Sequence, residues 1–349
     1  TKNHNLTQNR LFWVYSRNVR FTGLRFEGPH KGQFYADNVK WFTGIYAGPA
    51  TGSGAPADND NNANELEVDN CEFSGWSAAA VHVKDSQQVH IHHNYFHHNQ
   101  RKWDGRQAKK SSQGYGVKHS GRAKTLIEGN VFTYNRHGIA ATGDQGLEYQ
   151  ARYNFVTTGG NSHSFDVHGR CERGGVNRVR CDDKDVGDMA GTFFKIDHNI
   201  FLHKGNSAFV IRGVSEKKAK VKYNKWAHTW YRGAVRQRKV SCTKNDCDYT
   251  CGDKCCCETK LSERVRFKKL KIKGNSSRYL FPGRYVSFGG NTNWFPWEMD
   301  STRLNTLGVG DFNGDGEDDL FKASGGYWYV SYSGRTPFEE VKKSGYTLS

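Results

Sequence analysis

The stretch His163-Ser-Phe-Asp-Val-His-Gly169 decides how the chain is read, because its pattern recurs. Ile139-Ala-Ala-Thr-Gly143, Phe165-Asp-Val-His-Gly169 and Phe209-Val-Ile-Arg-Gly213 can be laid over one another. Val81-His-Val-Lys-Asp85, Val117-Lys-His-Ser-Gly121 and Val235-Arg-Gln-Arg238 fit the same frame. In each copy an apolar residue opens an alternation of period two, the mark of a strand with one face buried. Aligned copies set their outward residues in columns. One column reads His82, Lys118, Ala140, Asp166, Val210, Arg236, and the next reads Lys84, Ser120, Thr142, His168, Arg212, Arg238. A third reads Tyr115, His137, His163, Ser207. Polar and charged groups collect there, so the functional surface is expected on these columns.

A second element recurs between those strands. It reads Val89-His-Ile-His-His-Asn94-Tyr-Phe96, Leu126-Ile-Glu-Gly-Asn130-Val-Phe132, Gln150-Ala-Arg-Tyr-Asn154-Phe-Val156, Lys195-Ile-Asp-His-Asn199-Ile-Phe201 and Val221-Lys-Tyr-Asn224-Lys-Trp226. The asparagines are 36, 24, 45 and 25 residues apart. A period of about 24 leaves two insertions of about 12 and 21 residues, and insertions in a solenoid fall as loops on one face. They map to 100–113 and 170–190, both polar and basic. Glu67-Val-Asp-Asn-Cys71-Glu-Phe73 fits if Cys71 takes the asparagine position, as a small buried residue. Val19-Arg-Phe-Thr-Gly-Leu-Arg-Phe26 and Val39-Lys-Trp-Phe-Thr-Gly-Ile45 read as earlier strands.

Such a repeat cannot bury its apolar face alone; stacking must do it. Strands stacked with Asn at a tight corner give a parallel β-helix, in which each amide can bond the one a turn away. The residues two before each Asn read His92, Glu128, Arg152, Asp197, Lys222, and from Glu128 onward their signs alternate. That suits neighbours about 4.8 Å apart on stacked strands. At Gly129-Asn-Val-Phe132, Asp197-His-Asn-Ile-Phe201 and Phe165-Asp-Val-His-Gly169 the chain resembles the right-handed parallel β-helix, pectate-lyase-like superfamily, over residues 11–240. The resemblance implies the fold. It does not choose the chemistry, since that superfamily hosts lyases, hydrolases, epimerases and adhesins.

The formal charge is +16 over 349 residues, which attracts polyanions: nucleic acid, acidic polysaccharide or an anionic membrane. No run of about 18 apolar residues occurs, so no membrane-spanning helix is expected. No signal peptide opens the sequence at Thr1, and strand-like sequence begins almost at once, as in a mature or trimmed form. Six of the nine cysteines crowd into one segment: Cys242, Cys247, Cys251, Cys255, Cys256 and Cys257. Adjacent cysteines among turn residues suit a disulfide knot of open connectivity. Zinc competes, but the segment lacks His and paired Cys-x-x-Cys spacing. Cys171 and Cys181 bracket a Gly- and Arg-rich loop as a further disulfide. The expected compartment is therefore oxidising, and the protein secreted and extracellular. No nucleic-acid motif appears, which with the compartment sets nucleic acid aside. Asn5-Leu-Thr7 and Asn275-Ser-Ser277 are glycan acceptor sequences in a eukaryotic host.

The last segment changes character. Asp311-Phe-Asn313-Gly-Asp315-Gly-Glu317-Asp-Asp319 sets oxygen ligands at positions 1, 3, 5 and 9, with Gly at 6. Hard oxygens at that spacing suit calcium. The loop resembles the FG-GAP (integrin-propeller-like, also VCBS-like) calcium loop rather than an EF-hand, since it lacks the Glu at position 12. The resemblance implies Asp311, Asn313, Asp315 and Asp319 as ligands, with the Glu317 carbonyl as a further one. Tyr279-Leu-Phe-Pro-Gly-Arg-Tyr-Val-Ser-Phe-Gly-Gly290 and Leu320-Phe-Lys-Ala-Ser-Gly-Gly-Tyr-Trp-Tyr-Val-Ser-Tyr-Ser-Gly334 match as two propeller-blade-like units. That is too few for a closed propeller. The expected fold class is therefore all-β: a right-handed parallel β-helix over 1–240, a cysteine-rich segment over 241–260, and a small β module over 261–349.

For chemistry, Asp166 and His168 share a strand face about 7 Å apart, and Arg212 stacks a turn below His168 at about 5 Å. Lys118 lies about 10 Å from Asp166 along the axis. These four are the candidate catalytic residues. Lys84, Thr142, Arg236, Arg238, His137, His163 and Tyr115 are the candidate substrate-binding residues. The set suits a uronic-acid polymer cleaved by β-elimination. A cation or calcium neutralises the sugar carboxylate and acidifies the adjacent C–H, and Arg212, Lys118 or His168 takes the proton. A hydrolase needs two facing carboxylates, and only Asp182, Asp183 or Asp185 could partner Asp166. A non-catalytic glycan-binding protein, adhesin or assembly subunit is the alternative from another class. His137 and His163 could share a ligand or serve as corner residues bonded to backbone. His90, His92, His93, His97 and His98 are dense, but alternation divides them between faces, so density alone makes no metal site. An uncapped end at 1–10 would permit end-to-end self-association.

Overall fold

The computed structural model describes residues 9–29, 41–49, 63–100, 113–157, 160, 162–169, 189–203, 205–228, 231–243, 249–251, 254–260, 269–276, 284–286, 295–297, 307–310, 319–324, 327–332 and 339–343. The period-two stretches are strands, and they stack into three sheets that the chain visits in rotation. The first sheet holds Asn9–Val14, Phe42–Ala47, Ala79–Lys84, Tyr115–Ser120, His137–Ala141, Phe165–Val167, Phe209–Arg212 and Val235–Thr243. The second is an 8-stranded sheet from Arg20–Thr22 to Leu270–Lys273, and the third a 7-stranded sheet from Arg25–Glu27 to Lys225–Trp226. Along the stack every neighbouring pair is parallel, as in Tyr115 beside His137 and Glu128 beside Arg152. Chain that returns to the same sheet in the same direction one turn later is a parallel β-helix, and such crossovers are right-handed.

Inward residues of the three sheets meet in one apolar core. Phe26, Phe73, Phe96 and Phe132 stack face to face at 4.6, 5.1 and 5.2 Å. The core needs a sharp corner between the second and third sheets. A left-handed residue makes it: Asn70, His93, Gly129, Tyr153, His198, Tyr223 and Gly274 all have positive φ. The next residue is the asparagine of the repeat. Its Oδ1 accepts from the amide one turn earlier, through Asn94, Asn130, Asn154, Asn199, Asn224 and Asn275 at 2.9–3.0 Å. Cys71 does take the asparagine position: its N–H donates to Asn94 Oδ1, and the thiol is buried. A second, shorter ladder joins Asn99 to Asn135 at 2.8 Å.

The parallel stack runs on past residue 240. Leu270–Lys273 pairs with Lys218–Lys222, and Asn275 closes the amide ladder. Asn275 Nδ2 donates to the Val221 carbonyl, so this amide is engaged within the fold rather than offered to a glycan. Val235–Thr243 also pairs antiparallel with Lys254–Lys260, setting Cys242 opposite Cys256. The cysteine side chains of this segment, and Cys171 and Cys181, lie outside the described residues. So do residues 100–113 in most part, and Asp182, Asp183 and Asp185.

A separate unit comprises Phe281–Val286 and Trp294–Ser349. It contains a 4-stranded antiparallel sheet, Leu307–Gly310, Asp319–Ser324, Tyr327–Ser331 and Glu339–Lys343, in chain order. Gly310 pairs with Asp319, so the acidic loop links two adjacent strands. The proposed ligands Asp311, Asn313, Asp315 and Glu317, and the side chain of Asp319, lie outside the described residues.

Candidate functional site

The columns read from the sequence are present in the first sheet. Register places His82 beside Lys118, Lys118 beside Ala140, Ala140 beside Asp166, Asp166 beside Val210, and Val210 beside Arg236. Arg212 neighbours Arg238, and Tyr115 neighbours His137.

Exposure corrects the expectation of an open polar strip. Asp166 is 0% exposed. Its column contains Ala140 and Val210, and Ala140 joins Ala79 and Tyr115 in a second apolar cluster on the outward side of this sheet. Tyr115 is buried, with its hydroxyl accepting from Arg136 Nη1 at 3.2 Å. Thr142 is buried too, and its hydroxyl donates to Asp144. Asp166, Tyr115 and Thr142 therefore support the site from beneath and do not present themselves to a polymer.

Three groups converge on the buried carboxylate. Asp166 Oδ2 lies 3.0 Å from Arg212 Nη2, 3.0 Å from His168 Nε2 and 3.4 Å from His137 Nε2. The His168 contact is close but lies off the N–H direction, and among the described residues Asp166 Oδ1 has no hydrogen-bond partner. Burial pushes the Asp166 carboxyl up, but the Arg212 guanidinium, with His168 beside it, outweighs this and holds it well below the usual range. It is an anion. His137 is fully buried, and burial with Arg136 nearby keeps it neutral; its Nδ1 bonds the His163 carbonyl. Burial likewise lowers His163 to about 4, with Arg212, Arg238 and Arg236 adding to the effect. Tyr115, His137 and His163 stack at 5.4 and 6.2 Å, and the His137 ring bonds backbone as a corner residue would. Arg238 Nη2 sits 3.4 Å from His163 Nε2.

The side chains of His168 and Arg212 keep 14% and 12% of their surface exposed. Lys84, Lys118, Arg236 and Arg238 are also partly exposed. These six form the accessible part of the expected site. Arg136 was not singled out from the sequence. It precedes its strand and so falls outside the alternation that defined the columns.

Among the described residues, two groups of side chains could hold a metal: His137, Asp166 and His168 here, and Glu67, His90 and His92 on the second sheet. The first offers two imidazoles and one carboxylate already paired with a guanidinium. That donor set does not suit calcium, which takes oxygens. In the second, His90 bonds Glu128 at 2.8 Å and His92 bonds Glu67 at 2.9 Å, so these histidines join the charge-alternating face. Arg152 bonds Glu128 in the same face, as the alternation of signs requires. No described helix is long and apolar enough to cross a membrane.

No curated protein and no solved structure matches the chain at a significant level. Residues 8–156, the first turns of the stack, match the family described as "Right handed beta helix region", which agrees with the three parallel sheets.

Proposed function

We propose that this is a secreted, extracellular protein that acts on an acidic polysaccharide, as a lyase working by β-elimination at the edge of the first sheet. The observation that carries this is the pair His168 and Arg212, held side by side on the buried anion of Asp166 with their outer edges accessible. β-Helix regions occur in pectate-lyase-like and other carbohydrate-active proteins, and the charge of +16 favours an anionic polymer.

Asp166 orients both partners, and an arginine stays charged in any case, so Arg212 serves better as the carboxylate clamp than as the base. If His168 turns Nε2–H toward Asp166, the basic lone pair sits on Nδ1. That nitrogen takes the proton from the carbon next to the sugar carboxylate. The C–H electrons form the ring double bond, the C–O bond of the glycosidic linkage breaks, and the leaving oxygen takes a proton from solvent or Lys118. Arg212 stabilises the negative charge that builds on the carboxylate in the transition state.

A second reading, a non-catalytic glycan-binding protein, is favoured by the complete burial of Asp166, which equally suits a structural charge cluster. The test is incubation with polygalacturonate, alginate, chondroitin sulfate and ulvan, following absorbance from unsaturated sugar ends. His168→Ala and Arg212→Ala should each lower turnover by about 10²–10⁴ with the fold intact, as for a positioned acid–base or electrostatic group. Polymer binding without that absorbance would establish the second reading instead. For the C-terminal unit we propose a calcium ion on Asp311, Asn313, Asp315, Asp319 and the Glu317 carbonyl. The cysteines of 241–260, with Cys171 and Cys181, are proposed as disulfides.

A further inference from the structure

The outward face of the second sheet changes character along the stack. Near its start opposite charges meet. Arg20 bonds Asp69 at 2.8 Å, His92 bonds Glu67, and Arg152 bonds Glu128. In the last strands this alternation stops. Lys218, Lys220 and Lys222 alternate outward along one strand, and Lys271 and Lys273 along the next. Register sets Lys195, Lys220 and Lys271 in one row, and Asp197, Lys222 and Lys273 in another. The rows repeat at about 4.8 Å across strands and about 7 Å along them.

Like charges directly opposite on neighbouring strands destabilise a sheet. In line with this, Lys271 foremost, and then Lys220 and Lys222, push the Lys218 ammonium below its ordinary value. Asp197 relieves little of this, since Lys195 at 3.4 Å and His198 at 2.9 Å already claim it. A face of this kind is relieved by an anion that reaches several ammonium groups at once.

The corner beside the lysines adds a second feature. Tyr153, His198 and Tyr223 follow one another, tilted by 30° with 5.2 Å between successive rings, and Tyr223 is 46% exposed. Gly274 follows in that column. A Cβ there would meet Tyr223 Cδ1 at 2.5 Å, so glycine lets the ring lie over bare backbone.

We propose that this lysine lattice and its aromatic corner form a second binding site for an acidic polysaccharide, on a different sheet from His168 and Arg212. The choice of a polysaccharide rests on the proposed function; the anionic character of the ligand rests on the lattice alone. Ammonium groups at strand spacing suit acid groups repeating along a linear uronan, whose sugar rise is close to that spacing. The tyrosine hydroxyls of the corner can exchange hydrogen bonds with sugar hydroxyls. A second site on the same chain raises the effective concentration of polymer for the first.

The test uses the full chain on immobilised polygalacturonate and heparin, with single-stranded DNA as the competing polyanion. Lys220→Glu with Lys271→Glu should weaken retention on the polysaccharides at least tenfold. Release of unsaturated ends from short uronate oligomers should stay unchanged, which separates this site from the first. Lys220→Gln with Lys271→Gln should raise the melting temperature at low salt, with the gain vanishing at high salt; this shows that the lattice can be edited without unfolding the protein. Retention unchanged by the glutamate pair would overturn the proposal, as would a wild-type chain that binds neither polysaccharide. Preferential binding of single-stranded DNA, lost in the glutamate pair, would overturn the assignment to polysaccharide. Lattice-dependent retention without any unsaturated product would uphold this site while refuting the lyase reading.

Discussion

At the scale of single residues, the chain places histidines where water does not reach. His119 points into the core, stacked on Tyr149 at 5.4 Å, and burial lowers it to about 3. His163 is lowered to about 4. Both folded values lie below that of an unfolded histidine. Their neutral forms therefore cost nothing above about pH 6.5, and stability is lost as pH falls from there toward 3–4. His119→Phe should remove part of that loss, roughly 3 kcal/mol at pH 4, measured by urea unfolding at pH 4 and pH 7. An unchanged acid sensitivity would mean that His119 is reached by solvent. Asp166 is the other telling residue. Asp166→Ala leaves Arg212 without its buried anion and should cost about 3–5 kcal/mol. His168→Ala, at the accessible edge, should leave unfolding nearly unaltered and, under the proposed lyase reading, lower turnover. Under that reading the contrast separates a positioning residue from a catalytic one.

At the scale of the element, the corner is the repeating device. A left-handed residue turns the chain, and the asparagine after it binds the turns above and below. Asn154 is buried between Asn130 and Asn199 and also donates to the Ile127 carbonyl. Asn154→Leu should leave several of these groups unsatisfied, at about 1–3 kcal/mol each, read from chemical denaturation. Asn154→Asp would test the direction of the ladder, since it keeps the acceptor for Asn130 and removes the donor to Asn199. A loss near zero in both variants would show that water replaces the ladder.

At the scale of the whole molecule, the chain divides into the β-helix unit and a C-terminal unit with its own antiparallel sheet. If the acidic loop of the second unit holds calcium, EDTA should lower the melting temperature of that unit and leave the β-helix transition in place. Asp315→Ala should reproduce the effect and abolish the response to added calcium. Differential scanning calorimetry with and without calcium checks both outcomes, and an EDTA-insensitive second transition would remove calcium from the account.

The repeat was legible because it is local. Period two fixes which side chains face inward, and a recurring asparagine fixes the corner, so columns such as His92, Glu128, Arg152, Asp197, Lys222 follow by counting. The second ladder was equally within reach, since Asn99 and Asn135 each follow a ladder asparagine by five residues. The last turn was harder, because residues 244–268 separate Asn275 from the turns it joins and hide the period. What only the tertiary structure decided is burial on the outward side of the first sheet. Alternation shows that Asp166 leaves the core; it cannot show whether other groups then enclose it. That depends on His137, His168 and Arg212 arriving from different turns. Their convergence turns a strip of polar letters into a buried anion with two accessible partners, because burial and charge are set by neighbours in space rather than in sequence.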